Sequence, residues 1–384
     1  MRKASMIAAA VAAITLGGTG TAGADIATPL VDVDTAKVAQ SLQAALGSGA
    51  TVGYGFAITE NGKLVQTGAA GKARVDTGVA FTPFTRIEIA SSTKNIVAAA
   101  LLKLTEAAGL TPEAKIWPYL PPDMREGADP SWQNVKIKHI LGHQSGLGQL
   151  WQNSSGVERK KMTGLYAGIK YTMTKPVTPN EAKEGYAYEN LNYDVARVVI
   201  SRLWRLTDPD RGLPDWIGST SPPWTLHYVN EQLLAPAGIP WTTCLAENPD
   251  TEGRAYNRLN TAIGGSLFEM SGLDFEACAS HRGLRMSAVE LVRWQVYLRY
   301  GTIVSPTVRQ WMDTLGLGWR PYDYLPAGGY AHGGRVHDED GRAVRTCHGK
   351  FAGNVEVSLV VNSWIGPNDT HPCETVANAV KGAS

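Results

Sequence analysis

The chain has 384 residues, 43% hydrophobic and 18% charged, with 36 Lys+Arg against 35 Asp+Glu for a formal net charge of +1. That hydrophobic content excludes a disordered chain and supplies a core for one large domain or two ordinary ones. Balanced charge argues against a nucleic-acid-binding surface, and 41 glycines without a period of three exclude collagen.

Arg2 and Lys3 precede an apolar run from Met6 to Leu16 and a small-residue stretch from Gly17 to Ala24. Ala22-Gly23-Ala24 fits the small-x-small cleavage rule. Residues 1–24 therefore predict a signal peptide cut after Ala24, which leaves 25–384 as a single secreted domain with no stable membrane insertion. The apolar run is too short for a comfortable span. Gly18 to Gly23 spells G-x-G-x-x-G, but it follows no strand and opens no helix, so a dinucleotide site is rejected.

Val52 to Thr59 alternates like a strand, Asn61-Gly62 supplies a turn, and Leu64 to Ala70 returns, which reads as a β-hairpin. Residues 77–86 read as a loop. Thr93 to Ala108 is rich in Ala and Leu and predicts a buried helix ending at Gly109. Residues 110–185 read as loop-rich, with a short helix over Val135 to Leu141. Helices are predicted over Asn192 to Arg205, Trp224 to Leu234 and Ser287 to Tyr300. Gly329 to Arg335, Ala343 to Phe351 and Val355 to Ser363 read as strands, and 371–382 as a terminal helix. The economical arrangement is α+β: an antiparallel sheet built from both termini (about 25–90 and 301–384), with a helical, loop-rich insertion over about 91–300.

The four cysteines, Cys244, Cys278, Cys347 and Cys373, are even in number and follow an export signal, so two disulfides are expected. Three connectivities are possible; Cys244–Cys278 with Cys347–Cys373 is favoured because each closes the shorter loop. No C-x-x-C pair supports a metal site.

Three short motifs carry chemistry. Ser91-Ser92-Thr93-Lys94 is an S-x-x-K, and no other lysine in the chain has a serine three residues before it. On a helix the two side chains share a face, so the amine can approach the hydroxyl. A serine is a poor nucleophile until a base takes its proton, and a lysine serves once burial or cations lower its pKa. The helix N-terminus adds N–H groups beside a developing oxyanion. The plainer alternative, a helix start with a surface lysine, conflicts with the apolar surroundings from Ile87 to Leu102.

Tyr188-Glu189-Asn190 is a Y-x-N, in which a phenol can relay a proton and an amide can hold a substrate or orient the lysine. A second Y-x-N, Tyr228 to Asn230, lies inside an amphipathic helix and reads as structural. His332-Gly333-Gly334 falls on a predicted strand, where glycine lets a substrate backbone lie close and the imidazole can assist proton transfer. His348-Gly349-Lys350 is a rival; His332 is preferred from the strand count.

The chain resembles the penicillin-recognising serine hydrolases: serine β-lactamases, low-molecular-mass DD-peptidases and family VIII esterases. Glu88-Ile89-Ala90-Ser91-Ser92-Thr93-Lys94 is similar to their nucleophile segment, and Ile140 to Leu147 to their "LLSHTSGL" landmark. Tyr186 to Tyr193 resembles "FSYSNTNY", Leu234 to Ile239 "F-x-PLGM", and Leu315 to Trp319 "YGLGW". The order holds from about Val52 to Ser363, and the pattern is nearest to DD-carboxypeptidase-like and class C β-lactamase-related members. The resemblance implies a β-lactamase/transpeptidase-like fold. It implies Ser91 as acylated nucleophile, Lys94 and Tyr188 sharing acid–base work, and Asn190 binding the substrate amide. His332 stands for the lysine of the K-T-G triad, and Gly333 and Gly334 line the substrate. By the same resemblance the N–H groups of Ser91 and Arg335 would form the oxyanion hole, and the Arg335 side chain is a candidate for an anionic substrate group. The implied substrate is a small peptide, a cell-wall stem among the choices, or an ester, with no metal, organic cofactor or nucleic acid, and a monomer is favoured.

Departures narrow this reading. His332 in place of lysine argues against an efficient β-lactamase. Gly334 to Asp340 lacks the usual "G-x-PGF" loop, and no counterpart of a class A deacylating glutamate is found. His139 and His143 have i, i+4 spacing, but no H-E-x-x-H accompanies them, so a structural role is expected. No G-x-S-x-G marks an α/β-hydrolase elbow. The eleven Trp residues are scattered and read as packing, and Arg159-Lys160-Lys161 reads as a solvated loop.

Overall fold

A computed structural model describes residues 32–47, 49–213, 221–245, 248, 252–265 and 278–384. The predicted signal segment and its cut after Ala24 lie outside the described residues.

The hairpin forms as its pattern dictates. Strand β1 (Gly53–Glu60) and strand β2 (Lys63–Gly71) pair antiparallel across Asn61 and Gly62, whose φ values of 50° and 75° suit an Asn-Gly turn. β2 is mostly exposed and forms the sheet's edge. The C-terminal strands β7 (Tyr330–His337), β8 (Arg342–Phe351) and β9 (Val355–Val361) continue the sheet, in the order β2-β1-β9-β8-β7. Two short strands, β4 (Ala255–Asn257) and β5 (Gly264–Gly265), attach at Arg342 and Ala343, completing a seven-stranded sheet. A separate pair joins β3 (Ile87–Glu88) to β6 (Arg285–Met286). The sheet is antiparallel and five of its seven strands come from the two termini, as expected, whereas β4 and β5 come from the stretch expected to be helical and loop-rich.

Helices cover both faces. On one side α1 (Thr35–Leu46) and the terminal α6 (Pro372–Lys381) bury Val38, Leu42, Val376 and Val380 against Phe56, Ile58, Val357 and Leu359. Asp34 caps α1 by accepting from Ala36 and Lys37 N–H, and His371 caps α6 by accepting from Cys373 N–H. The other face packs on α4 (Ala288–Tyr300), capped by a reciprocal Ser287/Glu290 box, and on the helical part around α2 (Thr93–Ala107) and α3 (Leu191–Thr207). Both expected disulfides are present, Cys244–Cys278 and Cys347–Cys373. No described helix is long and apolar enough to cross a membrane.

Several expectations need correction. α1 and α5 (Pro306–Leu315) have no predicted counterpart, although Asp34 and Ser305 are N-cap residues and Pro306 opens α5 at its first turn. The stretch 110–185 is not simply loop. It holds short helices at Leu147–Asn153 and Tyr166–Met173, each only two turns long and stabilised by packing Leu147, Ile169 and Met173 into the core. The helix predicted over Trp224 to Leu234 begins at Ser221 and turns into a π-helix over Asn230–Leu234, with Asn230 clamped between the carbonyls of Leu226 and Thr242.

Candidate active site

The nucleophile segment enters α2 through a forced turn. Ala90 adopts φ 48°, a conformation that costs a non-glycine residue about 1–3 kcal/mol and is retained where the surroundings over-determine it. The turn is tied to the sheet: Thr346 Oγ1 donates to the Ile89 carbonyl at 2.8 Å and shares a 2.9 Å hydrogen bond with Ser92 Oγ. It leaves Ser91 half-buried at the start of a helix whose remaining residues are almost all buried.

The S-x-x-K spacing then delivers its consequence. Lys94 Nζ lies 3.0 Å from Ser91 Oγ and donates to the His281 carbonyl at 2.7 Å. Tyr188 Oη reaches the same Ser91 oxygen at 2.9 Å. Lys94 is fully buried and packs over the Tyr188 and Tyr193 rings, 5.1 and 5.7 Å from their centroids. Burial holds its amine well below the ordinary lysine range; Asp194 and Glu189 pull it back up, while Arg320 and Arg282 press it further down. The Tyr188 phenol is pushed up to about 12, because burial outweighs the opposing hydrogen bond to Ser91 and the charge of Arg320. At neutral pH the phenol is a proton-bearing donor, and of the two groups on Ser91 only the amine is driven toward its basic form.

His332 sits on β7, its ring 6.4 Å from that of Tyr188 and buried, which with the nearby cations keeps it neutral. Its Nδ1 lies 3.0 Å from the Gly333 carbonyl. A carbonyl only accepts, so Nδ1 carries the proton and Nε2 keeps its lone pair. His348 stands opposite His332 on β8 and takes a hydrogen bond from Gln295, so it belongs to the core behind the site.

Strand periodicity fixes which edge of β7 is open. Asp338 N–H donates to the Arg342 carbonyl, so alternate residues back to His332 pair with β8, while Ala331, Gly333 and Arg335 turn N–H and C=O groups the other way. Arg320 N–H bonds to Ala331 O and Tyr322 Oη accepts from Gly333 N–H, so the segment 320–322 covers the start of that edge. The Arg335 N–H lies beyond the covered part. Gly334 faces the nucleophile turn: a Cβ there would stand 2.5 Å from Ile89 O and 2.8 Å from the Ala90 Cβ. The Arg335 side chain, half-exposed, is held by Asp369 at 2.7 Å, which also grips the buried Arg345.

Asn190 is exposed at the start of α3 and makes no side-chain hydrogen bond among the described residues. The expectation that it orients the lysine is corrected here, because the His281 carbonyl holds that place. His139 contacts Glu181 at 2.9 Å through Nε2, and His143 stacks on Tyr188 with ring centroids 4.3 Å apart, so the i, i+4 histidines have separate structural partners. Sequence reasoning passed over His281, Asp194 and Arg320. Arg320 directly follows the Leu315 to Trp319 landmark, and an aspartate in the first turn of the amphipathic α3 was the other available signal. The Arg320 guanidinium lies 4.5 Å from the Tyr188 ring centroid and lines a cavity of about 410 Å³ with Tyr186, Trp319, Tyr322, Leu325 and Tyr330.

A serine bonded at once to a buried amine and a phenol, at the mouth of a helix and against an open strand edge, defines a lysine-activated nucleophile of the acyl-transfer type. The chain belongs to the β-lactamase family, whose model matches residues 38–366. Among solved structures, a penicillin-binding protein homologue from Pyrococcus abyssi superposes with a TM-score of 0.63 at 18% identity, covering 90% of this chain and 76% of that one. A D-amino acid amidase from Ochrobactrum anthropi SV3, complexed with D-phenylalanine, gives 0.63 at 17% identity, with 90% and 100% covered. Among curated proteins, protein flp of Staphylococcus aureus is 25% identical over 158 residues, 41% of this chain and 31% of that protein. Esterase EstB of Burkholderia gladioli is 33% identical over 144 residues, 36% of each. The matches thus span about a third of those relatives' lengths.

Proposed function

We propose that this chain is an exported serine hydrolase working through an acyl-enzyme at Ser91, with a D-amino-acid peptide such as a cell-wall stem as substrate. The observation that carries the reading is the contact of one serine oxygen with both Lys94 Nζ and Tyr188 Oη. Ser91 Oγ attacks the carbonyl carbon while its proton passes to the Lys94 amine. The oxyanion is received by the N–H groups of Ser91 and Arg335, each worth about 3 kcal/mol in such sites. Tyr188, bridging Ser91 and the leaving group, gives its proton to the departing nitrogen or oxygen as the C–N or C–O bond breaks, and is recharged from Lys94. His332 Nε2, which keeps its lone pair, would accept a hydrogen bond from the substrate. Water then adds to the acyl carbon and loses its proton to Lys94, which returns that proton to Ser91 Oγ as the Ser91 ester bond breaks. The two disulfides support an oxidising compartment outside the cell.

Arg320 supports a substrate with an anionic leaving group. Its guanidinium stands over Tyr188, the leaving-group side, and forms no salt bridge to a carboxylate among the described residues; its partners are phenols. A free peptide C-terminus matches that charge. Arg320→Ala is expected to raise KM at least tenfold for peptides ending in free D-Ala and to change p-nitrophenyl ester hydrolysis far less. Equal losses on both substrates would remove the anionic assignment. A small ester is the second reading, favoured by the likeness to esterase EstB.

Incubation with a labelled penicillin and, separately, with a fluorophosphonate, read by intact mass, tests the proposal. A penicillin adduct on Ser91 supports the peptidase reading, and a fluorophosphonate adduct alone supports the esterase. A folded protein that takes neither is a binding protein without catalysis. Ser91→Ala should abolish every adduct at a nearly unchanged melting temperature; retained labelling would identify another serine.

A further inference from the structure

Lys94 is oriented by something the reaction does not otherwise use. Its Nζ donates to the main-chain carbonyl of His281, 187 residues away in sequence. That carbonyl can only accept, so one N–H is committed to it. A neutral amine held this way can turn its lone pair on the Ser91 proton.

The turn bearing this carbonyl is fixed from several sides. Cys278 is tied to Cys244 by a disulfide, Ala279 adopts φ 52°, and Gly283 sits at φ 110° where a Cβ would stand 2.7 Å from Cys244 Sγ. The His281 side chain supplies the remaining anchor: its Nδ1 lies 2.7 Å from Asp194 Oδ1. Asp194 is 1% exposed on α3 and also meets the Ser280 side chain and the charge of Arg197. A buried carboxylate is expensive unless charges and donors surround it, so ionised Asp194 and neutral His281 form a fixed couple. Its position is telling. Asp194 and Tyr193 are neighbours on α3, and the Tyr193 ring faces Lys94.

We propose that Asp194 and His281 are positioning residues for Lys94: the couple pins the carbonyl that orients the amine and keeps the buried Asp194 charge at work on it. The proposal rests on the serine-hydrolase reading for its kinetic consequence, though not for its structural one. The groups facing Lys94 are Tyr188 and Glu189 ahead of α3, Tyr193 and Asp194 on it, His281 and Arg282 on the turn, Arg320 after α5, His332 on β7, and His143. Among the acidic members, Asp194 acts most strongly on Lys94 and favours its protonated form.

The test compares wild type, Asp194→Asn and His281→Ala. The pH dependence of Ser91 labelling by a fluorophosphonate is followed alongside the NMR titration of Lys94 in protein carrying 13Cε-lysine. Loss of the Asp194 charge should move the acid limb of labelling, and the Lys94 titration with it, down by about one pH unit. His281→Ala keeps that charge, so its limb should not move down. Its plateau rate should fall about tenfold as the carbonyl loses its anchor. A merely structural couple would lower the melting temperature of Asp194→Asn and leave both titrations in place, which overturns the proposal. If Asp194→Asn does not fold, a wild-type plateau in His281→Ala overturns it instead. If wild type shows no Ser91 labelling, the hydrolase reading has failed, and the Lys94 titration still decides the couple on its own.

Discussion

Lys94→Met should lose Ser91 acylation by about 10²–10⁴-fold, the usual worth of a positioned base, while melting at or above the wild-type temperature. The two outcomes come from the same burial. Lys94 is fully inside, and desolvation holds its folded pKa below that of the unfolded chain. Between the two values the unfolded chain binds a proton that the folded chain releases, so stability rises with pH across that window. At neutral pH the folded protein therefore carries a penalty for an amine it needs. Met keeps the unbranched stem and removes the penalty, along with one hydrogen bond each to Ser91 and His281. The wild-type labelling rate should rise with pH through the depressed Lys94 value and then level. The residual rate of Lys94→Met should show no such limb. Intact-mass labelling kinetics over pH 5–9 and calorimetry give both readouts. Acylation in Lys94→Met close to the wild-type rate would transfer the base to another group, with His332 Nε2 first in line.

What the sequence made legible is what is local or strongly periodic. The S-x-x-K rise of one helical turn predicts the Ser91–Lys94 contact, and the Asn61-Gly62 turn predicts the hairpin. Val355 to Ser363 reads as a strand, and the structure buries all of β9 between two helical layers. Tyr188 was reachable only through its motif, because its separation of 97 positions from Ser91 is closed by α2 packing on α3. His281, Asp194 and Arg320 had no local signature. Each acts through a partner fixed by tertiary folding: a carbonyl on a strained turn, a carboxylate on the buried face of a helix, a guanidinium over a phenol. At Asn190 the lysine-orienting part of the expectation goes to the backbone carbonyl of His281, while the exposed side chain leaves the expected substrate contact open. The missed helix α5 was readable from Ser305-Pro306, whereas the two-turn helices in 110–185 draw their stability from neighbours that no local pattern names.

Gly334→Ala is the second substitution expected to remove activity, and it does so without touching a reacting group. Gly334 is where β7 crosses the nucleophile turn. An added Cβ would meet Thr346 Oγ1, Ile89 O and Ala90 Cβ at 2.4, 2.5 and 2.8 Å. Two of these belong to a turn already strained at Ala90, and the third donates to Ile89 O, so no flexible side-chain end is available to give way. The cheaper response is for β7 to move outward, carrying the Arg335 N–H away from Ser91. Removing an oxyanion donor costs about 10²–10³-fold, so labelling of Ser91 should fall by at least that factor. The β7–β8 pairing of His332 with His348 and Val336 with Val344 on either side of Gly334 should hold the fold, with a melting temperature lowered by several degrees. Lys94 and Tyr188 lie on other elements and stay bonded to Ser91, so the acid limb should keep its position while the plateau drops. A Gly334→Ala protein that labels at the wild-type rate would show that the strand edge, and with it the Arg335 N–H, takes no part in the reaction.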